Sequence, residues 1–159
     1  MAVDPSVIEP NRCNCSALRK ATRRMSQFYD SALAPSGLRG TQYSILSDLT
    51  RRGDAPPTIR ELSEAMVLDQ STIGQNLRPL EREGLIALVQ DEADRRSRRI
   101  KLTKVGRARL AAALPLWGAA QARFESGFGQ GAAAELRAVL TTIARDQSLA
   151  DQSESSLSR

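Results

Sequence analysis

Residues 69–103 read DQSTIGQNLRPLEREGLIALVQDEADRRSRRIKLT, and the hydrophobic period changes within this stretch. In its first half the apolar residues recur every three or four positions, which predicts a helix capped by Asp69 and ended by Gly84. In its second half two strand-like segments, 85–89 and 99–102, flank a polar segment rich in arginine. This arrangement predicts a β-hairpin with a basic tip, directly after a helix.

A shorter helix is predicted immediately before this one. Thr58 and Glu61 have the spacing of a capping box, in which each side chain accepts a hydrogen bond from the other residue's backbone amide. The helix that they open is about two turns long, and Val67-Leu68 forms a tight connection to the next helix. Helix, tight turn, helix and basic hairpin in this order predict a winged helix-turn-helix, an arrangement that binds B-DNA.

Further helices are predicted on both sides of this lobe. The first, from about residue 13 to 33, has apolar residues at spacings of three and four, typical of a helix that packs against a partner helix. These apolar residues are Leu18, Ala21, Met25, Phe28 and Ala32. A second helix begins near Thr41, and a long helix follows Thr103 with a kink expected at Pro115. A last amphipathic helix follows a break at 127–131.

The fold class that follows is mainly α with a small β-hairpin wing. The helices outside the winged lobe are expected to form a dimerisation region. We expect a flexible arm at 1–11, one domain at 12–147 and a disordered tail at 148–159. Within the domain, the dimerisation helices are expected at about 12–34 and 104–147, and the winged lobe at about 40–103.

Composition excludes several classes of function. The chain has 159 residues, a formal net charge of +5 and no histidine, the commonest general base and metal ligand. It also lacks a glycine-rich phosphate loop and paired carboxylates in an apolar setting, so we expect no enzyme, no cofactor and no metal site. The longest nearly apolar run, 111–120, is about half as long as a membrane span needs, and the first residues lack the pattern of a signal peptide. We therefore expect a cytoplasmic protein without a membrane partner.

Charged and polar residues converge on the predicted DNA-reading elements. Eight basic residues lie between 91 and 109 against three acids, an excess typical of proteins that bind a polyanion. The helix capped by Asp69, the second of the helix-turn-helix, is expected in the major groove of double-stranded DNA. The hairpin is expected in the adjacent minor groove. The candidate DNA-binding residues are Ser71, Thr72, Gln75, Asn76, Arg78, Arg95, Arg96 and Arg98. An ordinary solvent-facing helix carries similar side chains, but the order of the elements favours DNA binding.

Four segments resemble the MarR family of bacterial transcriptional regulators. TIRELS at 58–63 and LEREGL at 80–85 resemble its helix-turn-helix, and DEADRRS at 91–97 with IKLTKVG at 100–106 resembles its wing. The resemblance implies a triangular homodimer that grips a pseudo-palindromic operator, typically as a repressor released by a small lipophilic or phenolic inducer or by cysteine oxidation. It also implies that Asp94 supports the wing and that one of the wing arginines enters the minor groove. The resemblance does not indicate which arginine this is.

The two cysteines, Cys13 and Cys15, lie at the start of the first helix beside basic residues, where a thiolate is favoured. Two residues apart on a helix places the thiols about 200° apart, so they cannot bond each other while helical. Pairing across subunits is the remaining route to a disulfide. Unreactive thiols in a reducing cytoplasm are the simpler interpretation, and redox sensing is the alternative.

Two further hypotheses concern partners. Met25, Phe28, Tyr43 and Trp117 are candidates for the border of an inducer pocket, although each also suits an ordinary core or a dimer interface. A protein-interaction module, with the winged lobe binding protein instead of DNA, is the alternative of a different class. The basic residues around the hairpin argue against it, because a protein-binding wing has no need of such charge.

Overall fold

The computed structural model describes residues 12–91 and 94–149. Its helices and strands are α1 (Asn14–Leu33), α2 (Gly40–Arg52), α3 (Ile59–Met66), α4 (Gln70–Arg82), β1 (Ile86–Gln90), β2 (Arg98–Leu102), α5 (Lys104–Phe128) and α6 (Gln130–Arg145). Short 3-10 turns lie at Ala34–Ser36 and Gln147–Leu149. The predicted class, mainly α with a small β-hairpin, is confirmed.

The hydrophobic core lies where α2, α3 and α4 pack against the hairpin and the first half of α5. Leu46, Leu62 and Leu77, one from each of the three helices, are almost completely buried. Each such leucine contributes roughly 1.5–3 kcal/mol when it leaves water. The end of α1 joins this core through Leu33, so the lobe and the flanking helices share one apolar interior.

The hairpin is attached to the chain that precedes α3. Strands β1 and β2 are antiparallel, and an isolated bridge pairs Thr58 with Arg99 on the other side of β2. The amide of Ile100 also donates to the carbonyl of Pro57 at 2.8 Å. The wing therefore has a short third strand-like partner, which ties the middle of β2 to the chain at the start of α3.

Close packing at the start of α5 requires a glycine. Thr103 caps the helix, since its hydroxyl accepts from the Gly106 amide (3.0 Å) and donates to the Gly84 carbonyl (2.7 Å). A Cβ at Gly106 would clash with the carbonyl oxygen of Leu85 and come within 2.7 Å of Leu102 Cδ1. Gly106 thus lets α5 lie directly against the hairpin, which fixes the wing relative to the long helix.

The structure corrects several sequence-based boundaries. The break between the last two helices is confined to Gly129, because α5 continues through Phe128 and α6 begins at Gln130. α5 runs without interruption through Pro115. A kink of the helix axis at this proline stays a prediction. Ser148 belongs to a 3-10 turn, so the tail does not begin there, whereas the expected arm at 1–11 and the rest of the tail lie outside the described residues.

The apolar residues predicted on one face of α1 are only partly covered in the single chain. Met25, Phe28 and Ala32 are half-buried, and Leu18 and Ala21 are exposed. Within the described part of the chain, no helix combines the length and the apolar character that crossing a membrane requires.

Candidate nucleic-acid interface

The turn between α3 and α4 is tight and left-handed. Val67 has a φ of 52°, a conformation that a β-branched residue rarely adopts. Its amide donates to the Glu64 carbonyl at 3.2 Å, and the amide of Leu68 donates to the Ser63 carbonyl at 3.0 Å. Leu68 packs against the core, which holds this turn in place. The chain therefore reverses within two residues, and α4 begins at once with its first turn at the surface.

The two faces of α4 are sharply different. Ile73, Leu77 and Leu80 are buried, and they leave the opposite side of the helix to the solvent. On that side Ser71, Gln75 and Arg78 are exposed, as predicted for residues that approach DNA. Thr72 and Asn76 are half-buried. The Asn76 amide donates to the Thr72 carbonyl at 2.8 Å, so part of its hydrogen-bonding capacity is used within the helix.

Asp69 caps α4, as predicted, and also organises its first turn. Its Oδ1 accepts from the Thr72 amide (2.8 Å) and from the Ser71 hydroxyl (2.6 Å), while its Oδ2 accepts from the Thr72 hydroxyl (2.7 Å). Hydrogen bonds from the two hydroxyls and from the amide hold the pKa of Asp69 far below its ordinary value. The sequence predicted the cap but not the binding of both hydroxyls by one carboxylate.

The tip of the wing is a compact turn that presents arginines. Asp94 Oδ1 accepts from the Arg96 amide at 2.9 Å, and the Asp94 carbonyl accepts from the Ser97 amide at 2.8 Å. Arg95, Arg96 and Arg98 are exposed, and none of them pairs with a carboxylate of residues 12–91 or 94–149. Their charge is therefore available to an anionic partner.

A second acid supports the wing, and sequence reasoning missed it. Asp91 is buried directly after β1, at the tip end of the strands, and its Oδ2 lies 2.9 Å from Nη2 of Arg99. Arg99 Nη1 also donates to the Pro56 carbonyl at 2.8 Å. Asp94 shapes the tip through the backbone, whereas Asp91 holds Arg99, which in turn reaches the chain just before α3. No local spacing indicated this pair, because alternation places Arg99 on the strand face opposite buried Ile100.

Comparisons with known proteins agree with this geometry. A model of the MarR family matches residues 36–97. The regulator MosR of M. tuberculosis, solved in complex with DNA, is 32% identical with a TM-score of 0.78, over 88% of this chain and 99% of MosR. The chain belongs to the MarR family. Members of this family are transcriptional regulators and not enzymes.

Two further structures of similar fold come from Rhodococcus. A MarR-family regulator from Rhodococcus sp. RHA1 is 25% identical with a TM-score of 0.72, over 85% of this chain and 99% of that protein. CouR of Rhodococcus jostii RHA1, bound to p-coumaroyl-CoA, is 26% identical with a TM-score of 0.70, over 81% and 89% of the two chains. A search of curated protein sequences gave no significant match.

This MarR-family chain contains a cavity of about 1060 Å³ between α1, α2, α4, α5 and α6. Three of the predicted pocket residues, Met25, Tyr43 and Trp117, line it. The rings of Tyr43 and Trp117 stack with centroids 5.8 Å apart and an interplanar angle of 14°. Gln75 and Asn76 of α4 also line the cavity, so a molecule inside it would contact the helix that carries the candidate DNA-binding residues.

Phe28 does not belong to this cavity. It lines a separate groove between α1 and α5, where the guanidinium of Arg123 lies 5.6 Å from its ring centroid. Phe28 is three residues from Met25, and helix rotation over that distance turns it toward α5. Met25, Tyr43 and Trp117 therefore border one cavity and Phe28 another, and binding of an inducer at any of these residues stays a prediction.

The cysteines of this MarR-family chain are both exposed and free. Cys13 has an extended backbone and is the N-cap of α1, and its Sγ accepts from the Ser16 amide at 3.4 Å. The expectation that helical geometry keeps the two thiols apart assumed a helical Cys13. That premise is wrong, since the helix begins at Asn14.

Proposed function

We propose that this chain is a sequence-specific transcriptional regulator that binds double-stranded DNA as a homodimer at a pseudo-palindromic operator. The observation that carries the proposal is the pairing of two elements on one lobe. α4 exposes Ser71, Gln75 and Arg78, and the adjacent wing exposes Arg95, Arg96 and Arg98 without carboxylate partners among the described residues. MosR and CouR, both similar to this chain, have been solved with DNA.

The two elements have different tasks in this proposal. A helix in the major groove reads base edges through amide and hydroxyl groups, which is the role of Ser71, Thr72, Gln75 and Asn76. Arg78, further along α4, contacts the phosphate backbone. A wing arginine enters the minor groove, where a narrow A·T-rich stretch concentrates negative potential.

The homodimer is proposed from the apolar surface of α6. Leu136, Val139, Leu140 and Ile143 are all at least a third exposed in the single chain. They lie on one side of the helix, and a soluble chain rarely leaves such a row open to water. A two-fold partner would cover this row and place two winged lobes on two half-sites.

Repression relieved by a small lipophilic or phenolic ligand is the proposed mode of regulation. The cavity has the size and the mixed apolar and polar lining of a small-molecule site. Because Gln75 and Asn76 contribute to its wall, an occupant alters the position or the freedom of α4. CouR, in its complex with p-coumaroyl-CoA, is an example of a similar structure that holds an aromatic acyl ligand.

Oxidation of Cys13 and Cys15 is the second candidate signal. Both thiols are exposed, and the Cys13 sulfur accepts a hydrogen bond from the Ser16 amide at the N-terminus of α1. Cytoplasmic localisation, which would keep these thiols reduced until an oxidant appears, is part of this proposal.

The experiment that tests DNA binding starts from a duplex selected with the purified protein from a random library. The selected duplex and a scrambled version, both fluorescent, are titrated at several salt concentrations. Gln75→Ala is expected to lose about 1–3 kcal/mol on the selected duplex alone, because it removes a base contact. Arg96→Ala is expected to weaken binding to both duplexes and to lower the log–log salt slope by about 0.9 for each lost contact, about twice that for a dimer.

Arg145→Ala, at the end of α6 and outside the winged lobe, is the matched control for loss of one positive charge. It should leave both affinity and salt slope nearly unchanged. If Arg96→Ala behaves like Arg145→Ala, the wing does not touch DNA and the proposal fails in that part. If no duplex is enriched by the wild-type protein, sequence-specific binding is excluded altogether.

A further inference from the structure

The hydroxyl groups of Ser71 and Thr72 have a defined hydrogen-bond direction. Both lie against the Asp69 carboxylate, at 2.6 Å and 2.7 Å. An ionised carboxylate can only accept hydrogen bonds, so each hydroxyl must give its single proton to Asp69. What remains on each hydroxyl oxygen is lone pairs. The outer side of this turn therefore offers acceptors and no hydroxyl donors.

The Asp69 carboxylate remains ionised over the whole physiological range. Its pKa is far below the ordinary value because three donors, namely the two hydroxyls and the Thr72 amide, converge on it. The proton positions on the hydroxyls consequently do not change with pH above the acid range.

Base pairs differ in what they can give to such acceptors. In the major groove adenine presents its N6 amino group and cytosine its N4 amino group as donors, whereas guanine and thymine present acceptors only. A serine or threonine that can turn its proton outward suits either kind of edge. Ser71 and Thr72 have lost that freedom, and for the same reason they cannot donate to phosphate oxygens.

We propose that Asp69 sets the base preference of α4 indirectly, by fixing Ser71 and Thr72 as acceptors that select adenine or cytosine. Asp69 is in this sense a positioning residue for specificity and makes no base contact of its own. The inference rests on the proposed DNA-binding function and adds to it a rule about which bases can donate a hydrogen bond to α4. At the base pair that these hydroxyls reach, an amino-bearing base is expected on the contacted strand.

The test is the substitution Asp69→Asn. Asparagine caps helices as well as aspartate does, so α4 is retained, and circular dichroism with thermal melting verifies this. The new amide group is a donor, and the hydroxyl that faces it must turn its own proton outward. Selection from a randomised duplex library is then repeated with the wild-type protein and with the variant, and the base frequencies at each position are compared.

For the wild-type protein we expect adenine or cytosine at the contacted position, preferred by about tenfold over guanine or thymine. Asp69→Asn should reduce this preference severalfold and admit guanine or thymine there, with other positions unchanged. Asp54→Asn, in the loop after α2, removes the same charge without touching α4 and is the matched control. It should keep the wild-type preference, since a charge change alone alters binding to all sequences alike.

A second variant keeps the test decisive. In a Ser71→Ala, Thr72→Val background the hydroxyls are absent, and adding Asp69→Asn should no longer alter the base frequencies. The proposal is overturned if folded Asp69→Asn selects the same bases as the wild type, or if the substitution changes the preference equally without the hydroxyls. A wild-type protein that enriches no sequence contradicts the proposed DNA-binding function itself, a result distinct from an unchanged preference.

Discussion

The carboxylate of Asp91, the residue after β1, and the guanidinium of Arg99 on β2 join the two sides of the wing where its strands meet the tip, with Oδ2 and Nη2 2.9 Å apart. The Asp91 side chain is only 8% exposed and that of Arg99 34%. Arg99 also reaches the Pro56 carbonyl and lies 4.0 Å from Glu61. One arginine thus connects the hairpin to the segment just before α3 and to the first turn of α3.

A double-mutant cycle should detect this ion pair. Asp91→Asn, Arg99→Gln and the double variant are compared by urea unfolding. Because the two groups are in direct contact and partly removed from water, we expect a coupling energy of about 0.5–3 kcal/mol. Arg98→Gln, on the neighbouring exposed arginine, should change stability by less than about 0.5 kcal/mol. Additive losses in the cycle would show that Asp91 and Arg99 do not support each other.

The apolar row on α6 should hold the proposed dimer together. Val139 is 56% exposed in the single chain and Ile143 is 41% exposed. Replacing both by aspartate should give monomers in analytical ultracentrifugation, because the new charges cannot be buried between subunits. Ala138→Asp, about 200° around the helix from Leu136, is the control and should remain dimeric. A dimer that tolerates both aspartates would place the interface elsewhere.

Trp117 provides a direct probe of the cavity, since it is the single tryptophan of the chain. Titration with 4-hydroxybenzoate, a simple phenolic carboxylate, should change the Trp117 fluorescence in a saturable way. Ser44→Phe narrows the same cavity without adding a second tryptophan and should weaken that response, whereas Phe28→Leu, in the separate groove, should leave it intact. An unsaturable or identical response in all proteins would mean that the phenol does not enter the cavity.

Peroxide treatment distinguishes the two proposed signals. If the exposed thiols of Cys13 and Cys15 sense oxidant, peroxide should weaken duplex binding by the wild-type protein and a thiol reductant should restore it. The Cys13→Ser, Cys15→Ser double variant should bind equally well before and after treatment. Equal sensitivity of both proteins would assign the loss to another residue, and equal resistance would leave the cysteines without a regulatory role.

Much of the winged lobe could be predicted because its signals are local. The hydrogen bonds that cap α3 and α4 join residues at most three positions apart, such as Thr58 with Glu61 and Asp69 with Thr72. The buried faces follow from helical and strand periods, which depend on backbone geometry alone. The candidate residues on α4 and the wing are therefore where the sequence placed them, although their contact with DNA stays a prediction.

The remaining features depended on segments that are far apart in the chain. The contact between Thr58 and Arg99 spans the whole helix-turn-helix, and no local pattern indicated it. Met25 faces the cavity and Phe28 does not, because α5 packs against the side of α1 that carries Phe28. That packing could not be read from α1 alone. Local hydrogen bonds and hydrophobic period determined the elements of this protein from its sequence, because those forces act within one or two turns. Only packing between distant elements decided which side chains share a cavity and which charges meet at the wing, because each element's apolar face fits several neighbours until the whole chain is folded.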